Sequence, residues 1–294
     1  MNNCTLCPRN CGTDRTKQTG ICNSNYKIKI ARASLHMWEE PPISGTAGSG
    51  TVFFSGCSLK CVYCQNSIIS SGNSGAVITA DRLYDIFFEL KNKGAKNINL
   101  VTSDHYIPVI KEPIKKAKQN GIDIPFILNT SSYIKVETLQ QIEGLIDVYL
   151  PDFKYFDEDI AKRYSKAPDY PIYAKSAIDY MMQVAPKAEF DDQGYIKKGV
   201  IIRHLVLPGN LLNSKKILKY IENQYGKYVY LSIMSQFTPC TDLSEYPEIN
   251  RKLTSKEYDK IVDFATDLGF VNVFVQDGES AKESFIPPFD LSGV

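Results

Sequence analysis

The sequence of 294 residues lacks any apolar run of the roughly 18 residues that cross a membrane, which argues against a membrane-spanning protein. It also lacks an excess of either charge: 34 Lys and Arg stand against 33 Asp and Glu, for a net charge of +1. This balance argues against a dedicated binder of nucleic acid or of an anionic membrane surface. No apolar stretch occurs in residues 1–15, so we expect no signal peptide and a cytoplasmic protein.

The composition is that of an ordinary globular protein. Hydrophobic residues make up 43% of the chain and charged residues 23%, which excludes a disordered, collagen-like or coiled-coil protein. The length allows one large domain or two small ones. A chain of this size buries a full core without needing disulfides or metal ions to hold it together.

Seven of the eight cysteines lie in two short windows of the sequence. Four occur in the first 22 residues and three between residues 57 and 64, while Cys240 stands alone. Thiols stay reduced in the cytosol, so such clusters indicate metal sites rather than disulfides. The alternative is that they are small buried hydrophobic residues, which is the usual environment of a lone cysteine.

From residue 50 onward, apolar strands alternate with amphipathic helices. This alternation predicts right-handed βαβ crossovers, a parallel sheet and a full or partial barrel of about six units. In such barrels chemistry occurs at the carboxyl ends of the strands. The predicted strands are 51–57, 97–102, 125–130, 146–154, 200–207, 228–235 and 271–276, and the predicted helices are 80–93, 107–119, 136–143, 157–165, 169–185, 213–224 and 254–268.

The motif C-x3-C-x2-C, formed by Cys57, Cys61 and Cys64, follows the first of these strands directly. Three closely spaced thiolates on a loop suit an iron–sulfur cluster. A 4Fe–4S cluster has four irons, and the next cysteine along the chain is Cys240, so the motif leaves one iron open to a substrate or cofactor. The alternative is zinc held by the same three cysteines, although zinc would need a fourth ligand nearby.

This motif at the end of a first barrel strand resembles the radical S-adenosylmethionine (SAM) superfamily. The resemblance implies a 4Fe–4S cluster whose open iron binds SAM, and reductive cleavage of SAM to a 5′-deoxyadenosyl radical that abstracts a hydrogen atom. The implied fold class is α/β: a partial (β/α)6-type radical SAM barrel over residues 46–276, a small cysteine-rich metal-binding lobe over 1–45 and a C-terminal tail over 277–294.

Longer stretches are similar to the activating enzymes related to pyruvate formate-lyase activase, in particular homologues with an N-terminal cysteine lobe. These stretches are CTLCPRNCGTDR, LHMWEEPPISGTAGSGTVFFSGCSLKCVYCQN, INLVTSDHY, YLPDFKYF and RHLVLPG. The resemblance implies a glycyl-radical enzyme as partner and an electron donor such as flavodoxin or ferredoxin. The alternatives are a radical SAM enzyme acting on a small molecule or peptide, and a metal-binding electron carrier or zinc scaffold without catalysis.

The resemblance also assigns residues to the site. Cys57, Cys61 and Cys64 match the cluster ligands, and Tyr63 matches the aromatic residue beside the adenine. Lys154 is implied to pair with the SAM carboxylate, and Asp152 to orient it or to bind a monovalent cation, whereas an ordinary ion pair is the alternative. The further residues implied to contact SAM are Asn66, Ser103, Asp104, His105, Asn129, Thr130, Ser131, Arg203, Leu205 and Gln236.

Several of these assignments have a structural alternative. The Ser103–His105 segment stands where the family usually has a Gly-Gly-Glu-like segment, and it equally suits a capping loop before the next helix. Cys240 is a candidate radical relay or substrate-side thiol, and a buried small residue is the preferred interpretation. Glu39 and Glu40, which precede two prolines, are expected to form a solvated acidic pair.

The N-terminal cysteines form a second set with metal-ligand spacing, Cys4-x2-Cys7-x3-Cys11-x10-Cys22. Four thiolates suit tetrahedral zinc or a single iron. A lobe of this size gains folding free energy from a bound metal, so a structural role is preferred to electron entry.

Overall fold

The computed structural model describes residues 3–276 and 286–294. In this part of the chain ten strands form one sheet, in the order β10-β9-β8-β6-β5-β4-β2-β1-β3, with β7 paired to β8. The strands are β1 Ile28–His36, β2 Ser49–Phe54, β3 Ala76–Ile78, β4 Ile98–Val101, β5 Phe126–Thr130, β6 Val148–Pro151, β7 Glu189–Phe190, β8 Ile196–Leu205, β9 Tyr230–Met234 and β10 Asn272–Val275.

The helices cover the sheet between these strands. They are α1 Pro41–Ser44, α2 Ser67–Ser70, α3 Ala80–Asn92, α4 Ile107–Gln119, α5 Val136–Leu139, α6 Glu158–Ser165, α7 Tyr170–Val184, α8 Leu211–Tyr225 and α9 Ser255–Asp267, with 3-10 turns at Asp104–Tyr106 and Gln140–Ile142. None of them, within the described ranges, has the length and apolar character needed to span a bilayer.

The central sheet is a partial barrel, as predicted. Along the run β10-β9-β8-β6-β5-β4-β2 each strand is parallel to the next, and helical crossovers connect most of them. The edge strands β3 and β10 are not paired with each other, so the sheet stays open. Parallel strands joined in this way place their carboxyl ends at one rim, which is where the cysteine motif lies.

The predicted helical periodicity is confirmed by the way α3 packs. Its residues Leu83, Ile86, Phe87 and Leu90 are all buried in the main core. The helix begins at Thr79, whose hydroxyl accepts a hydrogen bond from the backbone N–H of Arg82. The spacing of apolar residues therefore sets the buried face of this helix, and the Thr79 cap sets its start.

The sheet begins earlier in the chain than the sequence analysis predicted. Strand β1 lies within the stretch assigned to the lobe, yet it pairs antiparallel with both β2 and β3. The C-terminal tail adds to this edge: Ala33 donates its N–H to Ser292, and Leu291 donates to Ala31. Residues 277–285 of the predicted tail lie outside the described residues.

Candidate active site

The cysteine loop leaves the end of β2 through Gly56. Gly56 has φ +88°, and a Cβ there would lie 2.1 Å from Ser24 Oγ and 2.6 Å from the Cys22 carbonyl oxygen. Only glycine fits this conformation beside so close a backbone. The loop that follows brings Cys57, Cys61 and Cys64 to one cavity of about 230 Å³.

The three cysteines of this loop are partly buried. Burial raises the pKa of Cys57 to about 12, and the nearby Cys61 and Cys64 add to the shift. Cys61 Sγ accepts a 3.1 Å hydrogen bond from Ser165 Oγ and lies 3.8 Å from Tyr155 Oη. No three His, Cys, Asp or Glu side chains in residues 3–276 and 286–294 have the close spacing of an assembled metal site.

A buried guanidinium, that of Arg203 on β8, organises the charged side of the cavity. It donates to Asp152 Oδ1, with Nη2 at 2.8 Å, and to Asn129 Oδ1 at 2.6 Å. Its Nη1 lies 3.1 Å from Glu39 Oε2. Two carboxylates therefore share one cation, and burial raises the pKa of Glu39 while the charge of Arg203 opposes that shift.

The second cation of the cavity is Lys154, which follows β6. Its Nζ lies 2.7 Å from Asp152 Oδ2, and both side chains are mostly buried. Burial alone would raise the pKa of Asp152, but the charges of Arg203 and Lys154 hold it below its usual range. The carboxylate is thus ionised near neutral pH, and it fixes both cations in the cavity.

Tyr63 lies against the same cavity in an aromatic cluster. Its hydroxyl accepts a 2.7 Å hydrogen bond from Tyr155, and its ring packs edge-on against Tyr164 and Phe237. These contacts hold the ring between the second and third cysteines of the loop. A fixed aromatic surface of this kind suits a planar ligand such as a purine.

The comparisons with known proteins settle the family. Residues 51–221, more than half of the chain, match the family model described as the radical SAM superfamily. The chain belongs to the radical SAM superfamily. An uncharacterized protein of Methanocaldococcus jannaschii is 30% identical over 275 residues, which is 90% of this chain and 75% of that protein.

Solved radical SAM structures share the fold. SuiB of Streptococcus suis, bound to its precursor peptide SuiA, superposes with a TM-score of 0.53 at 14% identity, over 76% of this chain and 46% of SuiB. The hydrogenase maturase HydG of Carboxydothermus hydrogenoformans also gives 0.53, at 13% identity, over 87% of this chain and 57% of HydG. This chain therefore spans about half the length of each.

Radical SAM enzymes use a 4Fe–4S cluster and SAM, and the residues present fit both groups. The cavity offers three thiols for the cluster, and two hydroxyls already contact the Cys61 sulfur. It also offers a cation, a carboxylate and an aromatic ring, carried by Lys154, Asp152 and Tyr63, for the polar and planar parts of SAM. Metal binding would displace the protons of these thiols.

The structure brings most of the predicted site residues to this one cavity. Those that line it are Cys57, Cys61, Cys64, Tyr63, Asn66, Asn129, Ser131, Asp152, Lys154, Arg203, Leu205 and Gln236. They come from strand ends and from the loops that follow them. The barrel rule therefore predicted their neighbourhood correctly, although contact with SAM itself remains a prediction.

Four predicted SAM contacts lie beneath the cavity rather than on its wall. Ser103, Asp104, His105 and Thr130 are buried, and Asp104 Oδ2 accepts a 2.8 Å hydrogen bond from Thr130 Oγ1. The ring of His105 bonds the Ser55 carbonyl at 3.0 Å. For Ser103, Asp104 and His105 the cause is the turn after β4: the backbone at Thr102 has φ +57°, so Thr102 lines the cavity and the next residues turn inward.

Buried Asp104 gives the fold a dependence on pH. Burial raises the pKa of its carboxyl to about 7, so the neutral acid is favoured in the folded chain. Its contribution to stability is therefore complete below about pH 4 and is lost as the pH rises to about 7. We expect the unfolding free energy of Asp104→Asn, relative to the wild type, to rise over this interval in urea titrations.

The control for this pH prediction is Asp159→Asn, on the exposed face of α6. Its difference from the wild type should change little with pH. A difference for Asp104→Asn that is equally flat between pH 4 and pH 8 would contradict the assignment of a neutral buried acid.

Glu39 is a site residue that the sequence analysis missed. The expected solvated acidic pair is wrong, because Glu40 is buried and the Glu39 side chain is only 10% exposed. Glu39 lines the cavity and accepts from the amide of Asn99 at 3.0 Å. Its position depends on antiparallel β1, which runs back to the start of β2 and delivers the next residues into the barrel. A sequence analysis that recognised β1 as a strand could have identified Glu39 as a site residue.

Cys240 is exposed, so the preferred interpretation as a buried small residue is wrong. Its Sγ lies 3.9 Å from the Cys64 carbonyl oxygen, and the neighbouring Thr241 donates to the Val62 carbonyl at 2.7 Å. The loop after β9 thus packs on the back of the cysteine motif. A relay or substrate-side role for this thiol stays a prediction.

Proposed function

We propose that this radical SAM enzyme removes a hydrogen atom from a polypeptide, specifically the Cα–H of a glycine in a glycyl-radical enzyme. When bound, the cluster and SAM supply the one-electron chemistry for that step. The chain's own residues bind and orient the two groups and keep water from the reacting atoms. The observation that supports a polypeptide substrate is the open barrel with an apolar rim.

The rim is formed where the segment after β1 meets the cavity. Trp38 lines the cavity while 55% of its surface stays exposed, and its neighbour Met37 is 42% exposed. Because edge strands β3 and β10 are not paired, the cavity is not enclosed by a complete barrel. An exposed aromatic residue beside an open site suits a chain segment better than a small polar metabolite.

Lys154 is proposed to bind the carboxylate of SAM. Its ammonium is held by Asp152 at 2.7 Å, so it is oriented before the ligand arrives. Removing a charged hydrogen-bond donor costs about 1.5–3 kcal/mol, so Lys154→Met should weaken SAM binding about ten- to hundredfold. Equilibrium dialysis of labelled SAM against cluster-loaded protein measures this.

The matched control for Lys154 is Lys216→Met. Lys216 forms a similar ion pair with Asp157, at 2.8 Å, on α8 and away from the cavity lining. We expect its SAM affinity to equal that of the wild type. If both variants bound SAM as tightly as the parent, Lys154 would be only a partner of Asp152.

The substrate class can be decided by following deuterium. Extract from anaerobic cells grown in heavy water is separated by gel filtration into macromolecules and small molecules. Each fraction is incubated with the enzyme, SAM and dithionite, and deuterium in 5′-deoxyadenosine is measured. Deuterium from the macromolecular fraction, with a glycyl-radical signal in electron paramagnetic resonance (EPR), is the expected result; deuterium from the small-molecule fraction alone would favour the metabolite alternative.

We also propose the remaining components of the reaction. A one-electron protein such as flavodoxin or ferredoxin would supply the electron, in a cytoplasmic setting that is consistent with eight reduced thiols. The solved domain of a pyruvate-formate lyase-activating enzyme from Bacteroides vulgatus superposes with a TM-score of only 0.41, so the activase assignment rests on sequence resemblance.

A second metal ion, zinc or iron, is proposed at Cys4, Cys7, Cys11 and Cys22.

A further inference from the structure

Two of the four N-terminal thiols, those of Cys11 and Cys22, flank Gly20. A Cβ on Gly20 would lie 3.3 Å from Cys11 Sγ and 3.6 Å from Cys22 Sγ. The residues on either side of Cys11 tie the other two cysteines to it: the Gly12 N–H donates to the Cys4 carbonyl at 3.1 Å, and the Asn10 N–H donates to the Cys7 carbonyl at 3.1 Å. Four cysteines spread over the first 22 positions are thus folded into one compact lobe.

Beside these thiols lies a buried cation without a carboxylate partner. Arg15 is 1% exposed, and its guanidinium donates to two backbone carbonyls, those of His105 and Asn25, at 2.6 Å each. Its Nε has no partner, and none of the ion pairs formed by residues 3–276 and 286–294 includes it. A buried charge is costly unless an opposite charge lies nearby.

A candidate for that opposite charge is the thiol set. Arg15 bonds the carbonyl of Asn25, which follows Cys22 by three residues. Four thiolates around one divalent ion carry a net double negative charge, which Arg15 would balance. Neutral thiols would leave the charge of the guanidinium uncompensated. A bound metal ion, which keeps the thiols ionised, would therefore stabilise the buried Arg15.

The same lobe holds the backbone of the cluster loop. Arg9, between the second and third lobe cysteines, donates to the carbonyls of Ser58 and Leu59 at 2.9 and 3.0 Å. The Cys57 N–H donates to the Cys22 carbonyl at 3.1 Å. A ligand of the lobe is therefore hydrogen-bonded directly to a ligand of the cluster, and the loop between Cys57 and Cys61 rests on the lobe.

We propose that Cys4, Cys7, Cys11 and Cys22 bind one divalent metal ion whose charge Arg15 balances, and that the metal-loaded lobe is the clamp that fixes the cluster loop. The metal holds Arg9 and Cys22 in place, and they hold the loop. Loss of the lobe metal thus loosens the loop that carries the cluster. The first half deepens the second metal site proposed above and needs no SAM chemistry, whereas the second half rests on the cluster of the proposed function.

The first test measures metal binding without the cluster. In the full chain with Cys57, Cys61 and Cys64 all changed to alanine, Co²⁺ should bind one per chain with sulfur-to-cobalt charge-transfer bands. Adding Cys11→Ser should remove these bands, while adding Cys240→Ala should leave them. A triple variant that binds no Co²⁺ would overturn the proposal whatever the enzyme does with SAM.

A second change, made in the same triple-alanine variant, tests whether the charge of Arg15 stabilises the bound metal ion. Arg15→Met keeps most of the side-chain volume but removes the charge, and outer partners of this kind change metal affinity about 10- to 100-fold. We expect Arg15→Met to bind Co²⁺ more weakly by that factor, and Arg15→Lys to lose less of the Co²⁺ affinity. Equal affinities in Arg15→Met and its parent would mean that Arg15 serves only packing.

The third test measures the clamp in the chain with an intact cluster loop. In Cys11→Ser and, separately, Arg9→Met, we expect chelators to strip the reconstituted cluster about tenfold faster, the lower end of the effect of outer contacts. Arg9→Met should still bind the lobe metal. Arg251→Met is the control, since its pair with Glu257, at 2.7 Å, lies at the start of α9. Cluster loss at the parental rate in both variants would overturn the clamp.

Discussion

Replacing Cys61 with alanine should abolish the formation of 5′-deoxyadenosine from SAM, down to the level seen without protein. Cys61 is one of three thiols that line the cavity after β2, and no other cysteine among the described residues lines it. A cluster that loses one of three protein ligands has two irons without a thiolate and is not retained. The measurement is chromatography of 5′-deoxyadenosine after anaerobic reconstitution, with dithionite as reductant.

The control for this prediction is Cys240→Ala, which removes a thiol on the outer side of the same motif. Reductive cleavage of SAM precedes any relay, so this variant should form 5′-deoxyadenosine at the wild-type rate. Cleavage by Cys61→Ala at a rate near that of the wild type would refute the cluster assignment. Loss of cleavage in both variants would indicate a general sensitivity to thiol removal.

The second large effect concerns stability. Changing Arg203 to methionine leaves Asp152 and Glu39 buried with only Lys154 to balance them. Breaking a buried ion network by removing one member costs about 3–5 kcal/mol. We expect the unfolding free energy of Arg203→Met, measured by urea denaturation of the metal-free chain, to fall by about this amount.

Two further variants make the stability prediction specific. Arg163→Met breaks an exposed ion pair, so its cost should be a small fraction of that of Arg203→Met. Adding Glu39→Gln to Arg203→Met removes one of the uncompensated carboxylates, and the double variant should be more stable than the two single effects predict. Additive losses would mean that Glu39 and Arg203 do not interact across their 3.1 Å contact.

Local sequence patterns predicted much of this fold because they determine local structure. The spacing of Leu83, Ile86, Phe87 and Leu90 sets the buried face of α3, and the cysteine spacing sets the loop after β2. The alternation of strands and helices predicted the parallel sheet and placed Asp152 and Lys154 at the same rim. Each of these inferences uses only residues that are close in the sequence, or the rule that the carboxyl ends of parallel strands lie at the same edge of the sheet.

The features of the fold and the site that the sequence patterns did not predict depend on interactions between distant segments. Strand β1 lies in the sheet because it pairs with β2 and β3, and that pairing delivers Glu39 to Arg203, 164 residues later in the chain. Asp104 turns inward because the backbone at Thr102 takes a left-handed conformation that threonine rarely adopts. Neither feature has a periodic signature, so only the assembled fold reveals them.

The central claim is that Cys57, Cys61 and Cys64 hold a 4Fe–4S cluster with one iron left for SAM. EPR spectra of the anaerobically reconstituted and reduced protein, recorded without and with SAM, test it most directly. A reduced-cluster signal that shifts when SAM is added is the predicted result. A chain that holds only zinc at this loop, or a signal that SAM leaves unchanged, would contradict the claim.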